Sequence, residues 1–253
     1  MSERDAVQNP MLRYADEIGW ECVSASQALR MRGGDTNLYF ADPLETQLLK
    51  LNRDVLDEAL CKEILRQLNL LHPTLEGNRE ALAWLRGERS IFVPDQERER
   101  NVTLIDFETL EGNLFHVTDE WWHRSTAHRN RADVVFLVNG IPVAVVETKS
   151  AHKRDGLAEG VDQIRRYHRE TPEMFTTAQL FGVTQLLDFF YGVTWNTSRK
   201  NLFNWKADDP ANYEEKVKTF FDPARLLKTL RESIIFLSRD DELTKVVLRQ
   251  HQT

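Results

Sequence analysis

The sequence predicts an α/β fold, a mixed β-sheet flanked by helices. Three observations carry this. Helical periodicity dominates residues 42–69, β-rich segments cluster over 101–148 and again over 178–195, and a helical stretch separates the two β groups. No Gly-rich phosphate loop of either common kind follows a strand, so a doubly wound nucleotide-binding fold is excluded.

Taken in order, residues 11–40 mix short periodic pieces with the Gly33-Gly34 turn and stay ambiguous between helix and loop. "DPLETQLLKLN" then reads as a helix start, with Asp42 as N-cap, Pro43 at the first helical position and Glu45 at the third. Val55, Leu56, Ala59, Leu60, Ile64, Leu65 and Leu68 carry the helical spacing to about residue 69. "NREALAWLRGE" is a further short helix. "NVTLIDF" and "NLFHVTDEW" read as strands, and "RADVVFLVNGIPVAVVETKS" as a β-hairpin. A helix over 157–170 follows, then strands in "AQLFGVT" and "FFYGVTW". "PARLLKTLRESIIFLS" closes the pattern as an amphipathic helix.

The 253 residues suffice for one large domain. No apolar run approaches membrane-spanning length, and "MSERDAVQNP" lacks the apolar segment of a secretory signal. Cys22 and Cys61 make no disulfide framework, so a cytoplasmic location is expected. A net charge of -7 argues against a free-standing, non-specific nucleic-acid binder, while leaving room for a local basic groove.

The hairpin holds three residues that a buried sheet does not explain: Asp133, Glu147 and Lys149. Unpaired charges there cost several kcal/mol, on the order of a buried ion's desolvation. Glu147 and Lys149 lie two apart and share a face. A two-residue Asn139-Gly140 turn would pair Val138 with Ile141 and put Asp133 on the opposite face. A three-residue turn, Val138-Asn139-Gly140, pairs Leu137 with Ile141 and brings the two acids together. The three-residue turn is therefore expected, with Gly140 at positive φ. Converging carboxylates repel unless a cation sits between them. Two carboxylates, a nearby backbone carbonyl and water make the oxygen shell that Mg²⁺ prefers, and an adjacent lysine suits phosphodiester hydrolysis. Asp…Glu-x-Lys alone is a weak motif, because a strand ending in Glu-x-Lys is as often a solvated edge.

With these residues in place, the chain resembles the PD-(D/E)xK nuclease superfamily. More closely, it is similar to the N-terminal part of the restriction (R) subunit of type I restriction-modification enzymes. The matching features, in order, are the acidic residue of a first helix (Glu45 in "PLETQLLKLN"), two strands before the hairpin, Asp133 with Glu147 and Lys149, and a Gln-x-x-x-Tyr element at Gln163 and Tyr167. The likeness covers roughly residues 10–240, and "KVVLRQHQT" resembles the lead-in to that family's helicase motor. Two positions depart from the pattern: Ala132 stands where a proline precedes the catalytic Asp, and Thr148 replaces an aliphatic residue.

The resemblance implies a restriction-endonuclease-like sheet in a nuclease domain over 1–240, with 241–253 beginning a linker toward an absent motor. It implies a Mg²⁺-dependent endonuclease (Mn²⁺ as a substitute) acting on double-stranded DNA beside modification and specificity subunits. ATP would enter only through the motor. The implied catalytic residues are Asp133, Glu147 and Lys149. The metal ligands are Asp133, Glu147 and the Thr148 carbonyl, with Glu45, Gln163 and Tyr167 accessory. The rival from another class is a non-catalytic, nuclease-like docking domain.

Several of these residues have plain explanations. Gln163 and Tyr167 share a helix face, as packing residues often do. Asp42-x-x-Glu45 is also a capping-box pattern. Lys153, Arg154, Arg165 and Arg166 would track DNA phosphates, although a charged helix face is commonly just solvated. Trp121, Trp122, His123 and His128 would contact nucleic acid or belong to core and loop. His116, Asp119, His123 and His128 fit no familiar zinc spacing.

Overall fold

Seven strands form one mixed sheet with helices on both faces, in the spatial order 21–23, 115–124, 129–138, 141–148, 180–184, 189–193 and 203–204. The computed structural model describes residues 3–150, 153, 155–240 and 242–249. A turn of π-helix, Arg4–Gln8, leads into α1 (Asn9–Asp16), followed by β1 (Glu21–Val23) and α2 (Ala25–Met31). Three helices come next: α3 (Ala41–Leu51), α4 (Glu58–Asn69) and α5 (Leu75–Leu85). A small hairpin follows, β2 (Ser90–Val93) with β3 (Arg98–Asn101). The central ladder is β4 (Phe115–Arg124), β5 (Arg129–Val138) and β6 (Ile141–Thr148), joined through α6 (Gly156–Glu170) to β7 (Leu180–Thr184). Then come β8 (Phe189–Val193), β9 (Phe203–Asn204), α7 (Tyr213–Phe220), α8 (Pro223–Lys228) and a closing hairpin, β10 (Ile234–Arg239) with β11 (Glu242–Val247). This is the expected α/β, restriction-endonuclease-like architecture.

The hairpin β5–β6 is apolar on both faces because both are covered. Val134, Phe136, Val138 and Val146 join one core, with α1 and the C-terminal helices. Val135, Leu137 and Val145 join a second, with Val161, Ile164 and Tyr167 of α6. The α6 connection makes β6 and β7 parallel, with Glu147 opposite Val183. Gly160 lets α6 lie close on β7, since a Cβ there would come within 2.3 Å of Val183 Cγ1.

Four local expectations are corrected. Asp42 is not the cap of α3. The helix begins at Ala41 after Phe40, whose N–H donates to Gly140 O (2.9 Å), so a tertiary contact sets the start. The periodic run to residue 69 is two helices. Asn52 breaks it by bonding Leu48 O, Thr103 O and Thr103 N–H, and the Asp57 side chain caps α4. "NVTLIDF" contributes only Asn101 to a strand. "PARLLKTLRESIIFLS" is helical only to Ser233, and Ile234 starts β10, whose β-branched residues pair with β11.

The β10–β11 hairpin straddles residue 240, and Lys245 fastens it to the body of the fold. Its Nζ is fully buried, within hydrogen-bonding distance of Asn78 Oδ1 (2.6 Å), Gln179 O (2.9 Å) and Thr194 Oγ1 (3.0 Å). Burial, and secondarily the charge of Arg86, hold its pKa well below the ordinary lysine value. Between that lowered value and about 10.4, the unfolded chain binds a proton that the fold sheds, so stability rises with pH. We expect Lys245→Met to abolish this rise. The stability of wild type minus that of the variant, from urea melts at pH 7, 8 and 9, should increase by up to about 1.4 kcal/mol per pH unit. A flat difference would mean that the lysine stays charged inside.

Candidate active site

The turn and the register of the β5–β6 ladder together decide whether the acids meet. Asn139 (φ 51) and Gly140 (φ 80) form a two-residue left-handed turn with Val138 opposite Ile141. The expected three-residue turn is therefore corrected, whereas the positive φ of Gly140 is as expected. A Cβ at Gly140 would also meet Phe40 O at 2.7 Å. The acids nevertheless converge, because a β-bulge restores the parity. Leu137 faces Pro142 but Phe136 faces Ala144, so Val143 is an extra residue on β6. Pro142 has no N–H to keep the ladder regular at that point. Beyond the bulge Val134 pairs with Val146, and the next step sets Asp133 against Glu147.

Asp133, Glu147, Thr148 and Lys149 are all buried. Asp133 Oδ2 accepts from Thr148 N–H (2.8 Å) and from Thr148 Oγ1 (3.0 Å). Lys149 Nζ donates to Thr148 O (2.8 Å) and Glu147 Oε2 (3.3 Å). Glu147 Oε1 is buried with no hydrogen-bond partner. Burial first, then the Asp133 charge, raise the Glu147 pKa well above the carboxylate range, and Lys149 opposes them. The donor set fits a hard divalent cation: an unpartnered carboxylate oxygen, a second carboxylate alongside, and a carbonyl now held by an ammonium. Among the described residues no group of three His, Cys, Asp or Glu side chains gathers to hold a metal.

Tyr167 and Gln163 join this end of the sheet. Gln163 Nε2 donates to Tyr167 Oη (2.6 Å), which in turn donates to Arg131 O. Burial, then the Glu147 charge, push the Tyr167 pKa up. The pair thus holds the β5 backbone two residues from Asp133. Glu45 is not brought in. It lies near Cys61 of α4, whose thiol pKa its charge raises after burial, and the start of its helix packs on the Gly140 turn at the far end of the hairpin.

The basic residues of the α6 region are mostly engaged locally. Lys153 pairs with Glu159 (2.6 Å), and Arg165 bonds Asp162 (2.9 Å) and Thr197 O (2.7 Å). Arg166 approaches Glu170 (3.7 Å) and lies over the Tyr167 ring (5.4 Å). Arg154 lies outside the described residues. His116, Asp119 and His123 face separate partners: Glu21, Arg4 and Glu173.

The N-terminal turn supplies what sequence reasoning missed. Glu3 accepts from Ser150 N–H (3.0 Å) and lies 3.3 Å from Thr148 Oγ1, and Gln8 Nε2 donates to Asp133 O (3.0 Å). The acidic side chain contributed by a helix ahead of the hairpin is thus Glu3 rather than Glu45. Nothing local in "MSERDAVQNP" signals this, because the contact spans 147 residues of sequence. Arg131 is a second omission. It pairs with Glu120 and reaches Asp133 Oδ1 (3.7 Å).

Comparison with known proteins agrees with this geometry. A family model described as "Type I restriction enzyme R protein N terminus" matches residues 1–200. The chain is 30% identical to the Escherichia coli type I restriction enzyme EcoprrI endonuclease subunit, over 64% of this chain and 53% of that one. It is 28% identical to the putative type I restriction enzyme MjaVIIP endonuclease subunit of Methanocaldococcus jannaschii, over 63% of this chain and 16% of that one. Against the SsaAORF53P endonuclease subunit of Staphylococcus saprophyticus, identity is 26% over 98% of this chain and 26% of the relative. The chain therefore spans between about a sixth and about half of these relatives' lengths.

Proposed function

Because the chain belongs to the type I restriction enzyme R protein N-terminal family, we propose that it is a Mg²⁺-dependent endonuclease domain. In this reading it hydrolyses phosphodiester bonds of double-stranded DNA with little sequence preference of its own. It works in the cytoplasm within an assembly that includes modification and specificity subunits. ATP-driven translocation belongs to the motor of the full-length subunit, and Mn²⁺ substitutes for Mg²⁺. No helix among the described residues is long and apolar enough to cross a membrane.

One observation carries the reading. Asp133 and Glu147 meet in a buried site with a carboxylate oxygen unpartnered and Lys149 beside them. Asp133, Glu147 and the Thr148 carbonyl are the donors that would hold the cation. A cation held there would supply positive charge to the scissile phosphate and acidity to a water. Lys149 releases the Thr148 carbonyl and turns its ammonium to the attacking water and the phosphate oxygens, where negative charge develops. Gln163 and Tyr167 keep the β5 backbone, and with it Asp133, in place. Burial by α6 and the N-terminal turn limits access of bulk water and strengthens each of these interactions.

The test is a calorimetric titration of Mg²⁺ or Mn²⁺ into wild type and Asp133→Ala. Wild type should bind, and the variant should lose the site. Absence of binding by wild type would instead favour the docking-domain reading.

A further inference from the structure

Where β4 and β5 run on past Asp133, their ends carry an exposed indole set among arginines. Trp122 lies directly opposite Arg131, and Arg124 opposite Arg129, so the four share one face of the ladder. The Arg129 guanidinium sits over the Trp122 ring at 4.3 Å and that of Arg131 at 5.8 Å. Trp122 is 38% exposed, while the side chains of Arg124, Arg129 and Arg131 are 60%, 50% and 41% exposed. Each of these arginine side chains therefore keeps part of its surface in water, although Arg131 is paired with Glu120. A single carboxylate, Asp35, serves both Arg124 (3.2 Å) and Arg129 (3.0 Å), which leaves that pair with net positive charge.

We propose that this face is the track for the backbone of the DNA strand entering the site. Arg124 and Arg129 would take phosphates, and Trp122 would hold Arg129 flat while packing on the sugar edge. Arg131 joins the track to the carboxylates through its contact with Asp133. At about 3.3 Å per strand residue, Arg129 stands about 13 Å from Asp133, a span of about four nucleotide steps along a duplex. The two arginines lie in "HRSTAHRNR", a stretch that reads by itself as a loop, and their common face exists only once β4 and β5 pair. The direction of the track, toward Asp133, rests on the nuclease reading.

The test measures binding of a short fluorescent duplex to the whole chain by anisotropy, with chelator present, across a salt series. Arg124→Ala and Arg129→Ala should each weaken binding roughly tenfold at low salt and flatten the salt dependence by about one power of concentration. Trp122→Ala should weaken binding while keeping the slope. Asp35→Asn should tighten binding, which damage to the fold would not do, and unchanged melting temperatures check the other variants. Duplex affinity like wild type in all four variants, or no duplex binding by wild type, would overturn the proposal. If these variants bind normally while Asp133→Ala loses the metal site, the nuclease reading stands and the track falls. If they lose DNA while wild type binds no metal, the track stands as a nucleic-acid surface and the nuclease reading falls.

Discussion

Lys149→Ala should abolish DNA cutting by the assembled enzyme while sparing its ATP hydrolysis and leaving divalent-cation affinity equal or improved. The last clause separates this outcome from the loss of a ligand. Lys149 Nζ lies 2.8 Å from Thr148 O and 3.3 Å from Glu147 Oε2, two of the three donors assigned to the metal. Removing the ammonium frees them, so binding of Mn²⁺ followed by calorimetry should not weaken. Cutting should nonetheless fall by a factor on the order of a hundred or more, the usual scale for losing a group that stabilises charge in the transition state. Persistent cutting would remove Lys149 from the mechanism. Cutting lost together with metal affinity would make it a structural support for the site.

Glu147→Gln should make the cation-free protein more stable at pH 8 while destroying metal binding. Two causes raise the Glu147 pKa, burial and the Asp133 charge, and together they outweigh Lys149, which lowers it. The fold therefore holds a proton that the unfolded chain releases near pH 4.3, and the sign follows. Between that pH and the raised value, the native state binds more protons, so wild-type stability declines as pH rises. Glutamine has no such dependence, and its amide can donate to the neighbouring carboxylate. In chelator, urea melts should give the variant a gain of about 1–3 kcal/mol at pH 8, with little difference near pH 4. A variant less stable than wild type at pH 8 would show that the Lys149 ion pair outweighs the repulsion. Strain of this kind, relieved by a cation, is common where a protein keeps two carboxylates for function.

The hairpin shows where sequence reasoning succeeded and where it failed. Asp133, Glu147 and Lys149 stand out because they are charged residues in an apolar run, a chemical contrast visible without coordinates. The route by which they meet was not visible. Two alternatives each shift the parity by one residue, a longer turn or a bulge, and the chain uses the bulge at Val143. Pro142 is the one local hint, since it cannot donate to the ladder. Glu45 failed for a related reason. A helix start rich in capping residues looks the same whether it faces a site or, as here, the Gly140 turn.

Local chemistry determined the α/β class, most helices and strands, and the acidic pair with its lysine, because periodicity and misplaced charge are properties of neighbouring residues, whereas the Gln163–Tyr167 pair stood out only through the family resemblance. Tertiary structure alone decided that Glu3 and Gln8 close the site, that Arg131 reaches Asp133, and that Trp122 shares a face with Arg129. The Glu3, Gln8 and Arg131 contacts depend on how the N-terminal turn and β5 come to lie around one pair of strand ends, and the Trp122 contact on the β4–β5 register. Spacing along the chain carries no record of such juxtapositions.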